Sequence, residues 1–323
     1  MESERQITPG RLRRLAEELI DEQIGAIEAV SQPDVLVDEL DYALRPPRHE
    51  KRVPAFGAIV LPTRRPHSWS EVTGLSSTLS VTTDRSDDDA RRYADGEVSW
   101  AVREADGVHA VAVFDRSAGS ERDLVLLAEA TGGMIVQRRT DGVVRLVGSF
   151  GVARWDGVNW HVEPPFGTWL ERASCGFDDE ATGVLDQMLR FAVHDLGAGG
   201  VGALIILAPT VSAGFEERLS SPPPLRVDRP TDLGPLRHVL TQVDGAAVFD
   251  EVGVLSHLGV RVVPSEESER VIPGVGGTRH TSARRYSFDD PDAIVVVVSE
   301  SGPVTVFRNG EMVGRSALED PAS

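Results

Sequence analysis

Three short stretches in the carboxy-terminal third carry residue types that can handle a phosphate: Asp244-Gly245-Ala246, Gly277-Thr278-Arg279-His280 and Ser299-Glu300. A phosphoryl-transfer site needs a carboxylate for a divalent metal, cationic donors for phosphate oxygens, and a backbone open enough for the nucleotide to approach. Asp244 and Glu300 supply carboxylates, Arg279 and His280 supply donors, and Gly245, Ala246 and Gly277 supply small residues. Each stretch is bland alone. Asp-Gly is a common turn, Arg279-His280 suits an exposed helix start, and Ser-Glu often ends a strand.

Their context raises their weight, because each falls at the junction of two elements. Asp244 precedes the apolar run Ala246–Phe249, Thr278–His280 enter a predicted helix, and Glu300 follows the most apolar strand, Ala293–Ser299. Strand ends and helix starts are where free N–H groups and the helix dipole favour anions. Upstream, Leu185, Met188, Leu189, Ala192 and Val193 mark a helix with one apolar face. Gly197, Gly199, Gly200 and Gly202 then lead into the buried strand Ala203–Ala208, and Leu233, Leu236 and Leu240 mark another helix. Strands follow near Val254–Val263 and Val304–Arg308, the last closed by an Asn309-Gly310 turn. Neither glycine cluster lies between a strand and a helix with dinucleotide-fold spacing, and no Gly-Lys-Ser/Thr occurs, so both usual nucleotide folds are disfavoured.

Taken in order, Asp244-Gly245-Ala246, Gly277-Thr278-Arg279-His280 and Ser299-Glu300 after an apolar strand resemble the diadenylate cyclase domain, with Gly202–Ile206 similar to that family's first core strand. The likeness runs from Val184 to Val313. It implies an α/β domain with a central mixed sheet flanked by helices, and the condensation of two ATP into cyclic di-AMP with release of two pyrophosphates. It also implies Mg²⁺ or Mn²⁺ as cofactor and a homodimer or higher homo-oligomer with facing sites. Carried over, Asp244 and Glu300 would hold the metal, and Asp244, Arg279 and His280 would be catalytic. Gly245, Ala246, Gly277, Thr278, Arg279, His280, Ser299 and Glu300 would bind nucleotide. The family motif continues with an arginine where this chain has Thr281; Arg284 and Arg285 lie one helical turn on. The alternative is therefore a weak or inactive module that binds ATP or cyclic di-AMP.

The amino-terminal half reads as a separate α+β domain over residues 1–175, a sensor or regulator of the cyclase at 180–315, with a flexible tail at 316–323. Thr8 as cap and Pro9 at the first position open a helix running to about Val30. Phe56–Leu61, Val108–Phe114, Leu124–Ala128, Met134–Val136 and Val143–Val147 read as strands, with Asp106-Gly107, Asp141-Gly142 and Asp156-Gly157 as turns. Thr82–Arg92, with four aspartates, reads as a solvated loop.

Composition narrows the partners. A net charge of −18 over 323 residues argues against nucleic acid, while a local basic patch still admits a nucleotide. The apolar runs are short for a membrane span, and the amino terminus shows no signal-peptide core. With Cys175 as the single cysteine, the expectation is a cytoplasmic protein. His194, His238 and His257 lack metal-ligand spacing, no serine sits in Gly-x-Ser-x-Gly, and Trp155, Trp160 and Trp169 suit packing.

Overall fold

The computed structural model describes residues 9–29, 33–47, 53–62, 77–81, 87–103, 109–208, 215–216, 222–274 and 277–316. The chain divides into two compact units, Met1–Pro165 and Phe166–Ser323. Thr8, Asp106-Gly107, residues 82–86 of the expected loop and residues 317–323 of the expected tail lie outside the described residues.

The amino-terminal unit is built on an eight-stranded sheet, β1 (Phe56–Val60), β2 (Ser77–Val81), β3 (Ser99–Arg103), β4 (His109–Phe114), β5 (Met134–Arg138), β6 (Val144–Gly148), β7 (Gly151–Trp155) and β8 (Trp160–Glu163). Their spatial order is β2-β4-β3-β1-β5-β6-β7-β8, and only the β1–β3 pair is parallel. Helices α1 (Pro9–Asp21), α2 (Ala26–Ala29) and α3 (Pro33–Leu44) belong to this unit, with α4 (Asp87–Tyr93) and α5 (Glu121–Thr131). Leu19, Leu36 and Leu40 pack with Phe56, Val136 and Leu146, whereas Leu124 and Leu127 pack with Ile59, Trp100 and Ile135. Alternate residues of β1 and β5 thus feed two separate cores, as period-two strands buried on both faces must.

Three sequence expectations fail here for local reasons. The single helix from Pro9 to Val30 ends at Asp21, because Gln23 takes a left-handed φ of 57° and Ile24 N–H returns to the Leu19 carbonyl, burying Ile24. Leu124–Ala128 is helix, not strand: Ser120 caps the Asp123 N–H, two acids occupy the first turn, and Gly132 ends it at φ 61°. Residues 87–92 of the expected loop are helical. Arg91 there is buried beside Glu39 and Asp38 and lies 4.6 Å over the Tyr42 ring. A run of aspartates looks solvated in sequence; the arginine that follows it fixes the fold.

A second buried charge cluster crosses β5, β6 and β7. The register sets Gln137 opposite Arg145 and Arg145 opposite Arg154. Arg154 donates from Nε to Glu121 at 2.7 Å and from a terminal nitrogen to the same carboxylate, with Arg145 Nε 3.6 Å from it. Burial opposes the Arg154 charge, but Glu121 outweighs it and holds the pKa above the ordinary value; at Arg145 burial prevails and lowers it. Gln137 closes the row by donating to the carbonyls of Gly96 and Gly119.

The carboxy-terminal unit holds a seven-stranded sheet of β9 (Ala203–Leu207), β10 (Phe215–Glu216), β11 (Ala246–Phe249), β12 (Leu255–Val262), β13 (Ile294–Val298), β14 (Val304–Arg308) and β15 (Glu311–Arg315). The order is β10-β12-β11-β9-β13-β14-β15, with β9 and β11 parallel and the rest antiparallel. On one face lie α6 (Gly167–Ala173), α7 (Asp179–Arg190), a π-helical segment (Phe191–Gly197) and α8 (Pro230–Leu240), packed on Ala203, Ile205, Ala247 and Val296. After α9 (Glu266–Val271), α10 (Thr278–Asp289) covers the other face through Ala283 and Tyr286 against Leu204, Val295 and Phe307. This is the mixed sheet flanked by helices that the sequence suggested. The expected boundary at 175 falls inside this unit, because Trp169 of α6 presses on β15, where a Cβ at Gly314 would stand 2.3 Å from its ring. Among the described residues no helix is long and apolar enough to cross a membrane.

Replacing Glu121 by Ala should cost the amino-terminal unit about 3–5 kcal/mol, since it strands two buried guanidinium groups. Urea denaturation followed by circular dichroism measures this, and a loss below about 1 kcal/mol would show the cluster to be a spectator.

Candidate functional site

The sheet register gathers the three sequence stretches at one end. Ala246 pairs with Leu204 in parallel, so Asp244 stands level with Gly202, two residues before each. On the other side Val298 pairs with Ala203, which brings Ser299 and Glu300 to the same end. Backbone geometry then fixes each motif. Gly245 has φ 106°, and a Cβ there would lie 2.7 Å from the Gly259 carbonyl carbon, so this position of β11's entry admits glycine alone. Asp244 is exposed just before it.

Ser299 to Gly302 form a tight turn, with Gly302 N–H donating to the Ser299 carbonyl at 2.9 Å and Gly302 at φ 110°. The glycine run before β9 lies beneath this turn. A Cβ at Gly197 would meet the Gly302 oxygen at 2.8 Å, and one at Gly202 would meet Glu300 Cγ at 2.6 Å and Arg279 Nη1 at 2.7 Å. The cluster that failed as a dinucleotide fingerprint thus has a steric role, clearing space for the Arg279 and Glu300 side chains.

Gly277, the residue that precedes α10, offers no side-chain cap, so the first-turn amides of Thr278–His280 are left to other partners. Arg279 Nη1 lies 3.8 Å from Glu300 Oε1, with the two side chains 45% and 78% exposed. His280 packs edge-on against Phe307 at 6.3 Å and lies 3.4 Å from Thr305 Oγ1. Together these groups wall a cavity of about 1060 Å³, just above the roughly 300–1,000 Å³ usual for small-molecule sites. Gly277, Thr278, Arg279, His280, Ser299 and Glu300 line it; Asp244, Gly245 and Ala246 do not, and remain on the neighbouring strand end. Among the described residues no group of three or more His, Cys, Asp or Glu could hold a metal.

Arg284, which the sequence placed one helical turn on, also lines the cavity, while sequence reasoning missed Ser301, Thr305, Phe307, Glu311, Met312 and Arg315. The Asn309-Gly310 turn fixes Arg308 opposite Glu311, but a register shift between Val306 and Phe307 then sets Thr305 opposite Arg315. Without that bulge Arg315 would pair one residue off and face away. His194 is buried in the π-helical segment against Phe166, Trp155 packs at a tilt against Trp160 in the β7–β8 hairpin, and Trp169 is core, in keeping with packing roles.

Comparison with known proteins follows the same division. Residues 190–312 match the family described as DisA bacterial checkpoint controller nucleotide-binding, the DAC domain. Residues 13–163 match the family described as probable sensor domain DACNK. No curated protein matches the chain. A hypothetical membrane spanning protein from Bacillus cereus is 22% identical over 42% of this chain and 68% of its own, with a TM-score of 0.34. DacA from Staphylococcus aureus, solved as a double mutant, is 18% identical over 44% of this chain and 91% of its own, with a TM-score of 0.29.

Two glycine substitutions should separate scaffold from site. Gly245→Ala forces an L residue to φ 106° against backbone and should lower stability by ~1–3 kcal/mol. Gly202→Ala meets only side-chain atoms that can move aside and should leave stability within ~0.5 kcal/mol. Thermal melting of both variants checks the contrast; equal losses would contradict it.

Proposed function

With the carboxy-terminal unit a domain of the diadenylate cyclase family, and a sensor-family domain before it, we propose that this protein condenses two ATP into cyclic di-AMP under control of its amino-terminal unit. The observation that carries the reading is the cavity in which Thr278, Arg279 and His280 face Ser299 and Glu300, with Asp244 at the same sheet end. In this reading the first-turn amides of α10, Arg279 and His280 hold the triphosphate, and the small residues Gly245 and Ala246 let the nucleotide approach. Asp244 sits beside the ribose 3′-hydroxyl. Each 3′-hydroxyl attacks the α-phosphate held by a facing copy, so two P–O bonds form and two pyrophosphates leave. Positive donors absorb charge on the transferring group. Because one cavity holds one nucleotide, turnover requires a symmetric dimer or a larger assembly.

Two carboxylates, with no three-ligand cluster among the described residues, fit Mg²⁺ or Mn²⁺ delivered with a nucleotide, since such ions commonly use one or two carboxylates plus substrate phosphates. Asp244 and Glu300 would hold it, and the ion would supply charge neutralisation and ease deprotonation of the hydroxyl. A cytoplasmic setting, where ATP is available, belongs to the same reading. A second reading, a nucleotide-binding module without turnover, draws on position 281, where the chain has threonine and the cavity wall has no contribution from it.

Purified protein incubated with ATP and Mn²⁺ should yield cyclic di-AMP detectable by mass, at a rate rising more than linearly with protein concentration. ATP bound without product would favour the binding module. Asp244→Asn should cut turnover at least ~100-fold with an unchanged melting temperature; an unaltered rate would remove Asp244 from the mechanism.

A further inference from the structure

Position 281, an arginine in the motif of the resembled family, is threonine here and does not line the cavity, and two arginines follow one turn on along α10. Their environments differ sharply. Arg285 donates from Nε to the Ile272 carbonyl at 3.2 Å and lies 3.6 Å from Glu269, and it does not line the cavity. Arg284 lines the cavity one turn below His280. Its Nε donates to the Gly310 carbonyl at 2.7 Å. Gly310 is itself held, its N–H donating to Ser287 Oγ at 3.1 Å. The guanidinium is therefore anchored at one of its donor edges. Its terminal nitrogens have no protein partner among the described residues.

A half-buried arginine, held by a carbonyl and facing a cavity that already contains Arg279 and a helix start, has the chemistry of an oxyanion receptor. The surroundings reinforce this. The wall carries Arg279, Arg284 and Arg315 against Glu300 and Glu311, an excess of positive charge in a chain whose net charge is −18. We infer that Arg284 is a phosphate-binding residue of this cavity, filling the role that position 281 lacks, and that Arg285 is structural. The inference rests on the nucleotide-binding reading of the cavity, not on turnover.

Isothermal titration of the full-length protein with ATP, tripolyphosphate and adenosine tests it in the wild type, Arg284→Gln, Arg284→Lys and Arg285→Gln. Losing Arg284's charge-assisted bonds should weaken ATP and tripolyphosphate roughly 10- to 100-fold and leave adenosine unchanged. Arg284→Lys, which keeps the charge but not the fork, should fall between, and it stands in if Arg284→Gln fails to fold. Arg285→Gln should bind within about threefold of wild type. Unchanged ATP affinity in a folded Arg284 variant would overturn the inference, even if the protein makes cyclic di-AMP. Arg284-dependent ATP binding without any product would uphold it while removing the cyclase reading.

Discussion

Everything in the carboxy-terminal unit depends on the pairing of β9 with two neighbours of opposite sense. β11 runs parallel to it and β13 antiparallel, so the start of one and the finish of the other meet at β9's entry. Both faces of β9 are buried, with Ala203, Ile205 and Leu207 on one side and Leu204 and Ile206 on the other. A slip of one residue would exchange these two sets, so the register is firmly specified. Rigid pairing is what allows Asp244, Gly202 and Glu300, distant in sequence, to stand side by side without a dedicated scaffold.

The same economy explains why the site is rich in glycine. Gly245, Gly302 and Gly310 take positive φ, and Gly197 and Gly202 admit close neighbours. They let a strand entry, a turn and a helix start converge at distances that side chains would prevent.

Much of this was legible in sequence where short-range physics decides. The valine-rich run at 294–298 and the Asn309-Gly310 turn dictate a buried strand and a hairpin whatever surrounds them. The order of the three stretches pointed to one end of the sheet, where the register gathers them. What escaped depends on partners far along the chain. Leu124–Ala128 has an apolar content that suits either element, and the cap at Ser120 decides it. Residues 87–93 are helical because Arg91 finds Glu39, fifty-two residues away. Arg284 and Arg285 are neighbours in sequence, and only packing against Gly310 and Ile272 tells them apart. Arg315, though exposed, joins the cavity wall through a bulge that no local pattern announces.

The tie between Arg284 and the Gly310 carbonyl carries a consequence for how the chain tolerates change. A two-residue turn is ordinarily a permissive place, where loop lengths and residues drift with little penalty. Here the turn is moored to α10 at both its amide and its carbonyl, so lengthening or reshaping it would swing a cationic group in the cavity wall. The shape of the turn at Asn309 and Gly310 is thereby coupled to the position of Arg284 in the cavity wall.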